Sequence, residues 1–199
     1  SFDFHAPLMD LPKLFGTTLK NIPSDMPYLQ SAKKSREKWK NRLGKREHFR
    51  LGIVWTGNPK NTNLRHKSVE LSLFTPLLEI SGIRTYSLQV GRKNEVVRCF
   101  GDKVTDLGPE LVDFSDTAAV VDQLDLVVSV DTSVAHLAGA LGRPIWTLIP
   151  FLPDWRWQLE GDNSPWYPTM RLFRQTERNN WKPAMDQVSN ELRKREAQC

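Results

Sequence analysis

From about residue 49 onwards, short runs of β-branched and other apolar residues alternate with segments whose apolar positions recur at i, i+3 and i+4. The runs predict buried strands, and the spaced segments predict amphipathic helices. Strands are predicted at 50–56, 83–89, 104–107, 125–130, 145–149 and 170–174, and helices near 72–81, 94–100, 117–123, 134–141 and 183–195. This alternation predicts an α/β fold, a Rossmann-like doubly wound parallel sheet of about six strands, with ligands at the carboxyl ends of the strands.

The basic character of the chain is local. The whole sequence has 28 Lys and Arg against 23 Asp and Glu, a net charge of +5. Residues 31–50 hold nine basic and two acidic side chains, which leaves 19 basic and 21 acidic elsewhere. A single basic segment with only Trp39 as an aromatic residue is typical of a solvated helix face. We therefore expect no nucleic-acid partner.

Composition and missing motifs exclude several classes of protein. No apolar run approaches the ~20 residues needed to span a bilayer, and the first residues lack the order of a signal peptide, so we predict a cytoplasmic protein. Cys99 and Cys199 suggest neither a disulfide framework nor a zinc site. The sequence has no Gly-x-Gly-x-x-Gly, phosphate loop, Gly-x-Ser-x-Gly or Asp-x-Asp, and its four histidines are scattered. These absences argue against dehydrogenases, phosphate-loop NTPases, esterases and a metal site.

The strand predicted at 125–130 turns at Asp131 directly into a helix that carries Thr132, Ser133 and His136 in its first turn. A helix N-terminus offers unpaired N–H groups and about half a positive charge, which suits a phosphate. The alternative interpretation of Asp131 is an ordinary helix cap. The alternative interpretation of His136 is a hydrogen-bonded histidine buried in the core. The positive end of the helix dipole favours the neutral form of His136 in either case.

Two loops of the last third of the chain are rich in proline and aromatic residues. They contain Trp155, Trp157, Trp166 and Tyr167. These rings could stack on a base or a sugar, but large aromatics in such loops mostly pack the loop onto the protein body. We favour the packing interpretation.

The segment 129–144, Ser-Val-Asp-Thr-Ser-Val-Ala-His-Leu-Ala-Gly-Ala-Leu-Gly-Arg-Pro, resembles the Asp-Thr-Gly-x-x-His-Leu-x-x-Ala-Leu-x-x-Pro signature of bacterial heptosyltransferases. Segments 51–59, 150–157 and 164–168 resemble the glycosyltransferase domain found behind tetratricopeptide repeats in bacterial proteins. The resemblance covers about residues 50–192. Residues 6–12 resemble the end of the half that precedes such a domain.

This resemblance implies the C-terminal, nucleotide-sugar-binding half of a two-domain GT-B enzyme. Residues 1–48 would be the tail of the N-terminal half with a basic linker helix, and residues 49–199 the Rossmann-like domain. Ser133 stands where the family has a glycine. Its side chain narrows the space in which the protein backbone can approach the donor closely. The implied donor-binding residues are Asp131, Thr132, Ser133, Thr56, Gly57, Asn58, Arg65, Gln89, Gly91, Asp154 and Trp155.

The implied reaction is inverting and metal-independent glycosyl transfer from a nucleoside diphosphate sugar, with no cofactor. His136 and Lys67 are the catalytic candidates: Lys67 or Arg65 would hold the diphosphate, and His136 would orient a phosphate or a hydroxyl. The general base is expected in the missing half, so this chain should bind but hardly catalyse. The acceptor would be a glycan, a lipid-linked glycan or a protein, and tetratricopeptide repeats are a further expected partner. Two alternatives are a non-catalytic interaction module and a nucleotide-sugar epimerase.

Overall fold

The computed structural model of the chain describes residues 2–58, 60 and 64–196, without the side chains of residues 64, 65 and 93. Within these residues, six strands form one sheet: β1 Phe49–Val54, β2 Ile83–Ser87, β3 Val104–Asp106, β4 Leu126–Val130, β5 Ile145–Ile149 and β6 Met170–Arg174. Their order is β3-β2-β1-β4-β5-β6, and every pairing is parallel. The predicted fold class is confirmed, and the strand order is that of a Rossmann sheet.

Helices cover both faces of the sheet. The helices are α1 Leu11–Leu14, α2 Lys33–Leu43, α3 Leu64–Lys67, α4 Thr75–Leu78, α5 Lys93–Phe100, α6 Phe114–Val121, α7 Ser133–Ala140 and α8 Lys182–Glu196. Residues of α2, α6 and α7 share one buried apolar cluster, and residues of α4, α5 and α8 share the other. The central strands β4 and β5 are buried along their whole length, which explains why they read as nearly continuous apolar runs in the sequence.

Two predicted helices differ from the observed ones. The helix expected near 72–81 is a 3₁₀ turn, Leu71–Phe74, followed by the single α-helical turn of α4. The helix expected at 117–123 begins earlier, at Phe114, because the Asp113 side chain accepts hydrogen bonds from Ser115 N and Asp116 N. Asp113 is therefore an N-cap of the kind that fixes where a helix starts.

The basic helix α2 packs on α6. Trp39 is fully buried between them, and its Nε1–H donates to Asp116 Oδ1 at 2.7 Å. Lys38, Arg36 and Arg42 form ion pairs with Asp116, Asp122 and Glu110. The cationic face of α2 is therefore directed in part toward carboxylates of the protein body.

The end of α7 is tied to the N-terminal segment. Gly142, at φ 64°, donates to Gly139 O, and Arg143 N donates to Ala138 O, so the last turn closes with a left-handed glycine. The backbone N–H groups of Tyr28 and Leu29 both donate to Ala140 O at 3.1 Å. Residues 28 and 29 thus lie against the carboxyl end of the helix whose amino end faces the candidate site.

Within the described ranges, none of the helices combines the length and the apolar character that crossing a bilayer requires.

Candidate functional site

A cavity of about 860 Å³ lies where the strand order reverses, at the carboxyl ends of β1 and β4. This is the position at which doubly wound sheets bind their ligands. It is lined by Val54, Thr56, Gly57, Asn58, Lys67, Leu88, Gln89, Val90, Leu111, Val112, Asp113, Phe114, Thr117, Asp131, Thr132, Ser133, Val134, His136, Asp154 and Arg156. One part of the lining is charged and polar, and the part formed by 88–90 and 111–114 is mostly apolar.

An ion pair crosses the charged part of the cavity. Lys67 Nζ, at the end of α3, lies 2.5 Å from Asp131 Oδ2, which directly follows β4. The Asp131 side chain is 7% exposed and that of Lys67 is 23% exposed. Asp131 is therefore engaged by Lys67, and the N-cap of α7 is Thr132. The alternative interpretation of Asp131 as the cap is wrong.

The amino end of α7 has no side-chain cap. Thr132 forms no capping hydrogen bond, and its hydroxyl lies 3.1 Å from that of Ser129. The first described backbone bonds of the helix run from Ala135 N and His136 N to Thr132 O. Thr132, Ser133 and Val134 line the cavity. The partial positive charge of this helix end thus lies beside Lys67, and both favour an anion.

His136 is held from two sides. Its Nδ1 lies 3.1 Å from the Tyr167 hydroxyl, and its ring stacks on Trp157 with centroids 5.2 Å apart. Its Nε2 lies 3.9 Å from Asp131 Oδ1. Burial lowers the pKa of His136, and this outweighs the opposing charge of Asp131. The imidazole is therefore neutral at physiological pH.

Gln89 and Thr56 form a polar wall at the ends of β1 and β2. Gln89 Oε1 accepts from Thr56 N at 3.1 Å, and the Thr56 hydroxyl lies 2.7 Å from the Ser68 hydroxyl. Thr56 is 6% exposed and Gln89 is 8% exposed. The Gln89 side chain therefore pairs with the backbone just after β1, and it also borders the cavity.

A second ion pair lies at the rim. Arg156 Nη1 is 2.6 Å from Asp154 Oδ1. Burial would raise the pKa of Asp154, but hydrogen bonds from the backbone and side chain of Arg156 outweigh it and lower the pKa. The Arg156 guanidinium also lies 4.9 Å from the centre of the Trp155 ring.

Trp155 is 63% exposed, whereas Trp157 and Tyr167 are buried in the core. The packing interpretation of the aromatic loops holds for Trp157 and Tyr167.

Most of the predicted site residues meet in this cavity. Its lining includes Thr56, Gly57, Asn58, Lys67, Gln89, Asp131, Thr132, Ser133, His136 and Asp154. Gly91 and Trp155 are not in the lining, and the Arg65 side chain lies outside the described part of the structure. The roles of all the predicted site residues, those that line the cavity included, stay predictions.

Sequence reasoning missed Arg156 and the apolar part of the cavity at 111–114. Arg156 belongs to the motif that supplied Asp154 and Trp155, so it could have been included. The segment 111–114 carries no sequence motif. Its position in the cavity wall depends on the path of the chain between β3 and α6, which the sequence pattern does not predict.

Across the described ranges, no cluster of three or more His, Cys, Asp or Glu side chains is suited to holding a metal ion. Among the described side chains that line the cavity, the lysine and arginine residues are Lys67 and Arg156.

Residues 90–161 match the family model of glycosyltransferase family 9 (heptosyltransferase). The match includes Asp131, His136 and Arg156. The protein FlbA of Caulobacter vibrioides is 28% identical over 202 residues, which cover 96% of this chain and 33% of FlbA.

Solved structures share the fold. E. coli ADP-heptose lps heptosyltransferase II is similar with a TM-score of 0.58 and 16% identity, over 89% of this chain and 57% of that one. The glycosyl transferase family 9 protein of Veillonella parvula gives 0.60 and 13%, over 84% and 47%. E. coli heptosyltransferase WaaC, solved with ADP, gives 0.54 and 18%, over 87% and 53%.

The chain spans about a third of the length of FlbA and about half the length of these solved enzymes. In sequence motif and in fold, it resembles one half of a GT-B glycosyltransferase of the heptosyltransferase type.

Proposed function

We propose that this chain is the nucleotide-sugar-binding, C-terminal half of a glycosyltransferase whose donor is a nucleoside diphosphate sugar. The observation that carries the proposal is the Lys67–Asp131 ion pair beside the uncapped amino end of α7, in a large cavity at the switch point of the sheet. A fixed cation and a helix N-terminus that face the same space suit a diphosphate. The match to family 9 over residues 90–161 supports the same ligand class.

The two parts of the cavity suit the two parts of such a donor. The charged part around Lys67 would take the diphosphate. The part lined by Leu88, Val90 and Leu111 offers an apolar surface of the kind that packs on a nucleoside. Lys67 has three N–H donors, so it can keep its bond to Asp131 and still donate to a phosphate oxygen.

Catalysis by this half would consist of leaving-group stabilisation. When the bond to the anomeric carbon breaks, negative charge builds up on the diphosphate. Lys67 and the N–H groups at the start of α7 would bind the diphosphate more strongly in the transition state, where it carries this extra charge, than in the intact donor. We propose a single inverting displacement without a metal ion, in which the general base comes from the other half of the enzyme.

The acceptor is proposed to be a glycan, a lipid-linked glycan or a protein, and tetratricopeptide repeats to be a neighbouring unit of the full-length protein. We also propose a cytoplasmic location, where nucleotide sugars are available as donors.

Calorimetric titration of the chain with ADP, UDP, GDP and their sugars tests the proposal. We expect saturable binding of at least one nucleotide, and a loss of affinity of about 10-fold or more in Lys67→Ala, since a charge-assisted bond contributes roughly 1.5–3 kcal/mol. Lys103→Ala is the matched control, because Lys103 is an exposed lysine outside the cavity.

Failure to bind any of these nucleotides would contradict the proposal and favour the non-catalytic module. Epimerised nucleotide sugar recovered after incubation would favour the epimerase. Equal losses in the Lys67 and Lys103 variants would show that net charge, and not this site, holds the nucleotide.

A further inference from the structure

A second cavity, of about 350 Å³, lies at the carboxyl ends of β5 and β6. Lys67 and Asp154 line both cavities, so the second cavity adjoins the charged part of the first. Its volume is in the range of small-ligand sites, and it lies at the edge where parallel sheets bind their ligands. The diphosphate and the nucleoside of the proposed donor are assigned to the first cavity, so the second one is open to another part of the substrate.

Gln175, the first residue after β6, is fixed in the wall of the second cavity. Its backbone N–H donates to Ile149 O at 2.9 Å, and its side-chain Oε1 accepts from Phe151 N at 3.0 Å. The amide cannot be turned over, because Nε2 would then face a backbone donor. Gln175 is 6% exposed, and its Nε2 has no hydrogen-bond partner among the described residues. A buried amide donor of this kind is unfavourable until an acceptor reaches it.

Arg178 brings a cation to the same cavity. It lies in the turn after β6, where Asn180 N donates to Glu177 O at 3.1 Å and Asn179 has a φ of 61°. The neighbouring carboxylate of Glu177 accepts from Asn180 Nδ2 at 3.0 Å. Within the part of the chain that the structure describes, the Arg178 side chain forms no ion pair. Its guanidinium is therefore available to an anion.

The charged side chains that the two cavities share are already engaged. Lys67 pairs with Asp131, and Asp154 pairs with Arg156. Apart from the spare N–H groups of Lys67, the donors that a ligand meets are therefore the amide and the guanidinium just described. Most of the remaining lining is apolar: Pro150, Phe151, Leu152 and Pro153. The second cavity thus combines a positive charge, an unpaired donor and a surface on which a sugar ring can pack.

We propose that the second cavity binds the transferred sugar, and that this sugar carries a carboxylate that accepts hydrogen bonds from Gln175 Nε2 and the Arg178 guanidinium. The inference rests on the proposed function, since the group joined to a diphosphate beside Lys67 is the transferred sugar. It names the substrate class, a nucleoside diphosphate derivative of an acidic sugar. N–H groups of a guanidinium and an amide suit the two oxygens of a carboxylate. Both residues lie outside the stretch 90–161 that matches family 9.

The side-chain amide signal of Gln175 tests this inference in the chain without a nucleotide. In ¹⁵N-labelled protein, the signal is assigned by its loss in Gln175→Glu, which keeps an oxygen for the Phe151 N–H. Sodium glucuronate should shift the signal in a saturable way. Glucose and N-acetylglucosamine, which lack the charge, should shift it less at equal concentration.

Arg178→Ala is the variant for the charge. It should weaken glucuronate binding by about 5-fold, the upper end of what an exposed ion pair contributes. Because Arg178 is exposed, this variant should fold like the wild type, which circular dichroism checks. Arg193→Ala is the matched control, since Arg193 is an exposed arginine of α8 that lines neither cavity.

Three results of these titrations would overturn the inference. One is a Gln175 signal that glucuronate leaves unchanged. Another is an equally strong shift with glucose or N-acetylglucosamine, which would mean that the cavity does not select a charge. The third is equal weakening in the Arg178 and Arg193 variants, which would assign the binding of glucuronate to net charge.

Nucleotide sugars test whether the carboxylate belongs to the transferred sugar. At equal base, the chain should bind UDP-glucuronate about 5-fold more tightly than UDP-glucose, or GDP-mannuronate more tightly than GDP-mannose. Arg178→Ala should remove this preference, and Arg193→Ala should retain it. Equal affinities within each pair would overturn the inference and leave the proposed function standing.

Competition extends the test to any base. A nucleotide sugar that binds, ADP-glucose included, should displace glucuronate from the second cavity more effectively than the corresponding nucleoside diphosphate, because its sugar occupies the same space. Equal displacement by the two would overturn the inference. Absence of binding by every nucleotide would contradict the proposed function and, with it, the assignment of the second cavity to a donor sugar.

Discussion

Asp116 shows how a single carboxylate can join two elements. Its side chain accepts hydrogen bonds from Lys38 Nζ at 2.8 Å, Trp39 Nε1 at 2.7 Å and Val112 N at 3.3 Å. Burial would raise the pKa of Asp116, but the hydrogen bonds from Lys38 and Trp39 and the one from Val112 outweigh it and lower the pKa. The ionised form is therefore the one that stabilises the packing of α2 on α6.

Asp116→Asn should lower the free energy of unfolding by about 1–3 kcal/mol at pH 7, because a buried indole N–H and an ammonium group lose a charged acceptor. The folded-state pKa lies below the unfolded value of about 3.9, so the contribution is complete above that value. It should disappear as the pH falls through the folded-state pKa. Urea unfolding at pH 7, 4 and 3 measures this loss.

Asp186→Asn is the matched control for that prediction. Asp186 pairs with Lys182 four residues away, and both side chains are more than half exposed. Such a pair contributes less than about 0.5 kcal/mol. A loss in Asp116→Asn that is no larger than in the control, or that does not change with pH, would show that Asp116 is not ionised and paired in the folded protein.

At the residue scale, sequence reasoning predicted the turn proposed to bind an anion, but only part of the contacts that its residues make. Asp131 and His136 were predicted from the strand-to-helix turn, which is a local pattern. The pairing of Lys67 with Asp131 joins residues 64 positions apart, and it depends on the short helix α3 at the end of β1. The contact of His136 with Tyr167 depends on loop packing, which no periodicity encodes.

Two helices of the same length provide a matched test of capping at the element scale. Asp113 caps α6 with two backbone hydrogen bonds, whereas Thr132 occupies the same position of α7 and makes none. Asp113→Ala should cost about 0.5–2 kcal/mol of unfolding free energy. Thr132→Ala should cost clearly less. Chemical denaturation of the two variants measures the difference. Equal losses would mean that Thr132 caps α7, which would contradict the proposal that the start of α7 binds a ligand.

The contact of α7 with Tyr167 predicts the effect of one methyl group. Gly139→Ala places a Cβ about 2.5 Å from the Tyr167 ring, so the ring has to move. Overpacking of this kind costs about 1–3 kcal/mol. We expect a lower unfolding midpoint in urea than in the wild type.

A double-mutant cycle controls that experiment. In a Tyr167→Leu background, Gly139→Ala should cost less, because the smaller side chain leaves room for the new methyl group. If Gly139→Ala lowers the free energy of unfolding equally in both backgrounds, the destabilisation arises within the helix and not from the contact with Tyr167.

The boundaries of elements were predicted well where the chain has clear signals. The strand at 145–149 matches β5, which is a nearly continuous apolar run, and the strand at 170–174 matches β6, whose apolar residues Met170, Leu172 and Phe173 are buried. The helix expected at 72–81 breaks into short turns, because Pro76 allows only the start of a helix. Amphipathic spacing alone cannot distinguish a continuous helix from two turns with the same buried face.

At the scale of the whole molecule, both the fold class and the position of the site followed from the alternation of strands and helices. A parallel sheet with helices on both faces has a switch point, and the conserved geometry of such sheets places a cavity there. What the sequence could not predict is the outer surface. Residues 2–15 expose several large apolar side chains, Phe2, Phe4, Leu8, Met9 and Phe15, and their exposure follows from the packing of the whole chain.

The distribution of charge leads to the last prediction. Arg36, Lys38, Arg42 and Arg46 pair with Asp122, Asp116, Glu110 and Asp125, and buried Arg50 donates to backbone carbonyls. More than half of the nine basic residues in 31–50 are thus engaged within the protein. Non-specific binding of DNA requires free cations that replace counterions on the phosphates.

We therefore expect no saturable binding of a 20-base-pair duplex below about 100 µM at 150 mM salt, a concentration at the weak end of non-specific affinities. Fluorescence anisotropy of a labelled duplex measures it. In the double variant E110Q and D122N, Arg42 and Arg36 lose their carboxylate partners, so binding should strengthen and should depend more steeply on salt. Micromolar binding by the wild type, with no gain in the double variant, would mean that the unpaired lysines of α2 form a nucleic-acid surface despite the ion pairs beside them.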